Sequence, residues 1–204
     1  NQFYGIEIEE FPSKIAQVAM WLMDHQMNTL VRDMFGEYYV RIPLRASPSI
    51  VCANSLRTDW ESVVPKSELS YILGNPPFVG ASNMSTEQKA EAVEIFGNIK
   101  LSNSIDYVGA WYHKAAIYIQ NTAIRVGFVS TNSITQGEQV APLWGKLLFQ
   151  YKITIVFAYR TFVWSNEARG KAAVHCVIIG FSQVESKKKL LFSDDKVVEV
   201  GNIN

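Results

Sequence analysis

The chain has 204 residues, of which 48% are hydrophobic, 12% aromatic and 19% charged, the balance of a globular domain able to close one core. Lys and Arg together number 19, as do Asp and Glu, so the formal net charge is zero; this excludes the global basic field that dominates non-specific nucleic-acid binding, and any such contact must be local or made by another part of a longer protein. No apolar run approaches the ~20 residues of a membrane span and no signal peptide opens the chain. Cys52 and Cys176, far apart inside apolar runs, read as buried reduced thiols rather than a disulfide or metal framework, so a cytoplasmic setting is expected.

In chain order, Phe3–Ile8 reads as a short strand. A helix follows from Glu9-Glu10-Phe11-Pro12-Ser13, with Ile15, Val18, Ala19, Leu22 and Met23 at helical spacing. Pro43 and Pro48 punctuate the next stretch, and the apolar run Ile50–Ala53 ends at Asn54-Ser55-Leu56. Leu69–Leu73 is β-compatible and stops at Gly74-Asn75-Pro76-Pro77-Phe78, because two prolines cannot continue a central ladder. The polar stretch 82–101 predicts a loop with a short helix, Asp106–Ile119 a helix, Val126–Ser130 a buried strand and Gln136–Gln150 a helix. Ile153–Ala158 and Val174–Phe181 read as strands on either side of a polar loop, Arg160–Lys171, and are expected to pair antiparallel at the sheet edge. After Ser182 charge takes over (Glu185-Ser186-Lys187-Lys188-Lys189), with strand-like pieces at Leu190–Phe192 and Val197–Val200. Strands separated by helices, each ending in a polar turn, predict an α/β sheet with its ligand at the carboxyl ends of the strands.

The turn Asn75-Pro76-Pro77-Phe78 carries the most specific chemistry. An exocyclic amino group is a poor nucleophile because its lone pair is delocalised into the ring. The Asn75 side-chain oxygen and the Pro76 carbonyl can each accept one of its N–H bonds and leave the lone pair aimed at an electrophilic carbon. Proline presents that carbonyl on a rigid backbone, and Phe78 offers a flat face for a planar substrate. The alternative is a plain strand-terminating turn.

Gly74-Asn75-Pro76-Pro77-Phe78 resembles the fourth motif of the class I S-adenosylmethionine-dependent amino-methyltransferases, whose loop grips the target amine. Gly5-Ile6-Glu7-Ile8-Glu9 resembles the second motif; the resemblance implies that Glu7 takes the cofactor's ribose hydroxyls and Ile8 lies against the adenine, while an acid beside a helix start is the other reading. Asn54-Ser55-Leu56 resembles the third motif, although Asp is commoner there; the resemblance implies that Asn54 and Ser55 meet the cofactor, with the Asn54 side-chain oxygen facing the adenine amino group, while an ordinary turn residue is the other reading. Asp106-Tyr107-Val108-Gly109-Ala110-Trp111 resembles the fifth, which implies that Trp111 lines the adenine pocket; a core aromatic is the alternative. Val129–Ile134 with Gly137–Val140, and Phe162–Ala168 with Gly170–His175, resemble the MmeI-like type IIL restriction-modification enzymes, and the resemblance spans Gly5 to about Phe181.

The resemblance implies a Rossmann-like methyltransferase sheet, mostly parallel with an antiparallel last strand. It implies S-adenosylmethionine as cofactor, no metal, and N6 methylation of a flipped adenine in double-stranded DNA within a restriction-modification protein. Phe162 or Trp164 would pack against the flipped base, and Arg160, Arg169 and Lys171 could neutralise phosphates or simply line a solvated loop. His175 is read as a core histidine. The same grip also suits a protein glutamine or an RNA base, and a non-catalytic scaffold is the remaining alternative. The family's glycine-rich first motif is not found in these 204 residues, nor are its nuclease and target-recognition parts, so residues 1–182 are expected to be a partial catalytic domain, incomplete at its N-terminal side, and 183–204 the start of a linker or following domain. The strand missing between the Glu7 and Asn75 strands would be covered by their direct pairing or by dimerisation, and the isolated piece is expected to bind cofactor poorly and to be inactive.

Overall fold

The computed structural model describes residues 3–36, 49–97, 103–164, 174–193 and 196–203. The chain divides into two compact units, Asn1–Pro65 and Lys66–Asn204.

In the first unit, β1 (Tyr4–Glu7) pairs in parallel with β2 (Ser49–Cys52), Glu7 standing opposite Cys52. Between them runs α1 (Glu10–Phe35), with Pro12 in its first turn, where a missing N–H costs nothing. Gly36 closes it in the left-handed region at φ 70°, its N–H reaching the Arg32 carbonyl at 2.8 Å. The predicted apolar stripe forms, yet Ile15, Val18, Leu22 and Met23 remain about half exposed; within this unit and among the described residues α1 packs on β1 and β2, two short strands that cover little of a 26-residue helix. Cys52 corrects the expectation of two buried thiols: it is exposed, on a strand whose second pair of residues is uncovered, whereas Cys176 is buried.

In the second unit, β3 (Tyr71–Gly74), β4 (Arg125–Thr131), β5 (Thr154–Trp164), β6 (Val174–Ser182), β7 (Lys189–Ser193) and β8 (Lys196–Val200) form one sheet in the order β3-β4-β6-β5-β7-β8. β3, β4, β5 and β7 run one way, β6 and β8 the other. The expected antiparallel pairing of β5 with β6 is present, but not at the sheet edge. β6 inserts between β4 and β5, and the charged segment after Ser182 supplies β7 and β8 beyond them. Direct pairing of the Glu7 and Asn75 strands is also corrected: among the described residues β1 pairs with β2 and β3 with β4.

Helices α2 (Thr86–Phe96), α3 (Gly109–Tyr118) and α4 (Val140–Gly145) complete this unit. A capping box starts α2: Ser85 Oγ accepts the Gln88 N–H, and the Gln88 side chain accepts the Ser85 N–H. The single helix expected over 136–150 is instead a 3-10 turn (Gly137–Gln139), α4, and a π turn (Lys146–Gln150) in succession. The core lies where α3 meets β4 and β6. Tyr112, fully buried, stacks on Phe181 at 5.5 Å and meets the edges of Phe128 and Trp144 at 5.2 and 5.7 Å. Its hydroxyl pairs with Ser130 Oγ at 2.8 Å, so neither buried polar group is orphaned. The buried histidine is His113 rather than His175, which is exposed near the start of β6.

Candidate active site

β5 is longer than predicted and carries Arg160, Phe162 and Trp164 as strand residues, not as members of the following loop. Its pairing with β6 slips between Ile155 and Phe157 and again between Tyr159 and Phe162. Each slip shifts the two-residue alternation, so that Tyr159 and Phe162, three apart, meet edge to face at 5.4 Å. Trp164 continues the row 6.3 Å from Phe162. Phe162 is half-buried between its neighbours, while Trp164 is 40% exposed at the strand's end. Arg169 and Lys171 lie outside the described residues.

Gly74 ends β3 opposite Phe128, and a Cβ there would come within 3.1–3.2 Å of the Phe128 ring. The strand thus passes closely over the core before the two prolines break the ladder. Asn75 and Pro77 are exposed, Pro76 buried and Phe78 half-buried, so the tetrapeptide lies at the surface at the carboxyl end of β3, with the ends of β4 and β5 on the same end of the sheet. No described group hydrogen-bonds the Asn75 carboxamide or the Pro76 carbonyl, and both acceptors keep their full capacity. Thr161 Oγ1 donates to Asn132 Oδ1 at 2.9 Å, tying the end of β5 to the turn after β4.

Three residues not singled out in the sequence surround the exit of this loop. Asp106 Oδ1 accepts the Ala81 N–H at 2.9 Å, and Asp106 Oδ2 accepts Ser133 Oγ at 2.5 Å and Gln139 Nε2 at 2.9 Å. Each belongs to a stretch that the resemblance covers, but only folding shows that the three converge. Trp111, half-buried on the first turns of α3, packs edge to face on Tyr107 at 5.0 Å, and the Tyr107 hydroxyl donates to the buried Glu91 carboxylate. It is therefore anchored by a ring as well as by its helix.

The first unit places its candidate residues at the carboxyl ends of adjacent parallel strands. Glu7 Oε1 accepts the Glu9 N–H at 3.1 Å, and the half-buried carboxylate keeps its second oxygen for another donor. Ile8, just after the strand, is 60% exposed. The Ala53 N–H reaches the Glu7 carbonyl at 2.9 Å, which sets Asn54 beside that strand end. Asn54 folds a tight turn: its Oδ1 accepts the Leu56 N–H at 2.9 Å and its carbonyl the Thr58 N–H at 2.9 Å. The Ser55 carbonyl accepts Trp60 Nε1 at 2.9 Å. A carboxylate oxygen suited to hydroxyl donors, next to an exposed aliphatic residue, fits the ribose and adenine parts of a nucleoside cofactor.

Among the described residues no helix is long and apolar enough to cross a membrane. Residues 1–193 match the family described as MmeI, DNA-methyltransferase domain. The chain is 42% identical to DNA methyltransferase A of Bacillus subtilis (strain 168), over all of this chain and 24% of that protein. It superposes with a TM-score of 0.91 on the type IIL restriction-modification enzyme MmeI in complex with DNA, at 53% identity, over 98% of this chain and 28% of the other. The type ISP enzyme LlaGI, solved with a DNA substrate mimic, shares the fold at a TM-score of 0.50 and 14% identity, over 93% of this chain and 18% of the other. The chain thus spans about a quarter of the length of the first two relatives. With the family matched over nearly its whole length, and the strand order and proline turn in place, the chain belongs to the MmeI family of DNA-methyltransferase domains.

Proposed function

We propose that the protein is a DNA adenine N6-methyltransferase of a restriction-modification system, using S-adenosylmethionine, with residues 1–182 as part of its catalytic domain. The observation that carries this is the pair of unspent acceptors, Asn75 Oδ1 and the Pro76 carbonyl, at the exposed end of β3. Their chemistry suits an N–H donor with two protons in one plane, as on an exocyclic amine. The base inside a duplex is out of reach of a short loop, so it is flipped out. Phe78 offers its ring to one side of the base. Trp164, the more exposed of the two candidates on β5, supplies the stacking face from that strand, with Phe162 backing it. Asn75 and Pro76 draw the two N–H bonds into their own plane, which localises the nitrogen lone pair perpendicular to it.

When bound, the cofactor supplies an electrophilic methyl carbon with a neutral thioether as leaving group. Asn75 Oδ1 and the Pro76 carbonyl would hold the amine nitrogen toward that carbon, and the proton displaced from the nitrogen would leave to water. Glu7 holds the ribose hydroxyls, with Ile8 as an apolar wall for the adenine. The neutral net charge fits a protein whose DNA is gripped mainly by parts beyond this chain. The sheet edges of β1 and β3 suit pairing with further chain of the same protein or with a second copy.

The test is transfer of labelled methyl from S-adenosylmethionine to duplex DNA by the full-length protein. Asn75→Ala is expected to slow transfer on the order of 10²- to 10³-fold, as for loss of one preorganised polar contact to the reacting group. Transfer within threefold of the parent would remove the catalytic assignment.

A further inference from the structure

The target-amine loop has little anchorage of its own. Pro76 and Pro77 carry no N–H to donate, and the Asn75 side chain and Pro76 carbonyl have no partner among the described residues. The Val79 N–H turns back on the Pro77 carbonyl at 3.2 Å, a contact internal to the loop. The first ties to the rest of the sheet and helices come next: the Val79 carbonyl accepts the Tyr107 N–H at 2.9 Å, and the Ala81 N–H donates to Asp106 Oδ1 at 2.9 Å. Both ties end on residues 106 and 107, just ahead of α3.

Asp106 is itself held on every polar atom that faces this cluster. Its Oδ2 accepts Ser133 Oγ at 2.5 Å and Gln139 Nε2 at 2.9 Å, and its N–H donates to Gln139 Oε1 at 3.0 Å. That last bond dictates which way the Gln139 amide points, because only its oxygen can face an N–H; its nitrogen then spans Asp106 and the Ser133 carbonyl at 3.0 Å. The Ser133 hydroxyl also pairs with Thr131 Oγ1 at 2.8 Å, at the end of β4. Three donors on one carboxylate make a charge-assisted joint between the turn after β4, the turn before α4 and the exit of the loop.

We infer that Asp106, locked by Ser133 and Gln139, is the positioning residue that sets how far the Asn75–Phe78 loop reaches toward its amine. This rests on the reading of that loop as the amine grip. Asp106 touches no reacting atom. It acts on the backbone of Val79–Ala81, and a drift of about an ångström there is worth on the order of 10²-fold in rate.

The test is single-turnover methylation of duplex DNA by the full-length protein, with enzyme and labelled S-adenosylmethionine in excess. Asp106→Asn keeps the side chain's shape but sets an N–H2 against either the Ala81 N–H or the Gln139 nitrogen, whichever way the amide turns, and it is expected to lower the rate constant on the order of 10- to 100-fold. Amplitude, DNA affinity and cofactor affinity are expected to stay within about threefold, since a mispositioned loop slows every molecule without removing any. Ser133→Ala, which deletes one donor, is expected to fall between parent and Asp106→Asn. Loss of amplitude at an unchanged rate constant would mean that Asp106 only supports folding, and rate constants within twofold of the parent in both variants would mean that it has no role; either result overturns the inference. Asn75→Ala is measured alongside. If it keeps its rate constant, the amine-grip reading fails and the inference with it; if it loses the rate while Asp106→Asn keeps it, only the positioning role fails.

Discussion

Gly180→Ala is expected to loosen the centre of the six-stranded sheet. Gly180 on β6 stands opposite Gly127 on β4 and Phe157 on β5, so two glycines and one ring lie in a row across three strands. A Cβ on Gly180 would sit 1.9, 2.2 and 2.5 Å from three carbons of the Phe157 ring, and one on Gly127 would be 3.5 Å from the same ring. The ring therefore fills the space that two side chains leave open. Forcing it aside costs about 1–3 kcal/mol as overpacking, of which the better strand backbone of alanine returns about 0.5–1 kcal/mol. A net loss of about 1 kcal/mol corresponds to roughly fivefold faster amide exchange, at 1.36 kcal/mol per tenfold. The assay is hydrogen exchange over peptides from β4 and β6 in the full-length protein. Combining Gly180→Ala with Phe157→Ala should reveal a coupling of about 1 kcal/mol or more, because the double variant removes the clash. Exchange within twofold of the parent for Gly180→Ala, or strictly additive effects in the double variant, would refute the ring-over-glycine account.

Burial, and then the charge of Lys146, depress the His113 imidazole from 6.5 to about 4. The unfolded chain therefore binds the proton first: stability is complete above pH 6.5 and declines as pH falls toward 4, by about 2 kcal/mol at pH 5 for that pair of values. His113→Gln should flatten the decline in a thermal melt of the full-length protein, and a variant whose melting temperature still drops as steeply from pH 7 to 5 would contradict it. Burial also raises the Tyr112 hydroxyl well above its ordinary value, keeping it neutral throughout this range. Tyr112→Phe removes the partner of fully buried Ser130 and is expected to cost about 1–3 kcal/mol by chemical denaturation, with Tyr112→Phe/Ser130→Ala recovering part of it. Equal stability of Tyr112→Phe and the parent would sink that assignment.

Local chemistry wrote several elements into the sequence directly. The two prolines had to end β3 at Gly74, and the apolar run 174–181 had to be a strand, although its place inside the sheet rather than at the edge was decided only by folding. Each of these depends on groups within a few residues of one another. The extent of β5 was not legible, because its polar Arg160 and Thr161 look like loop residues until two register slips let them stay in the ladder. The exposure of Cys52 and His175 was equally hidden: an apolar neighbourhood in sequence reports a strand, not the number of layers that cover it.

For the candidate site the division is similar. The tetrapeptide Asn75–Phe78 could be recognised from four consecutive residues, since the grip it makes is local to one turn. Its support could not, because Asp106, Ser133 and Gln139 lie 27 and 33 residues apart in the chain and meet only when the ends of β4 and the starts of two helices converge on the loop. Sequence by itself determined which backbone groups lack an N–H and which side chains can accept a proton. Tertiary structure alone decided which acceptors are already satisfied and which stay open, because a hydrogen bond between distant residues exists only once the sheet has brought its strands together.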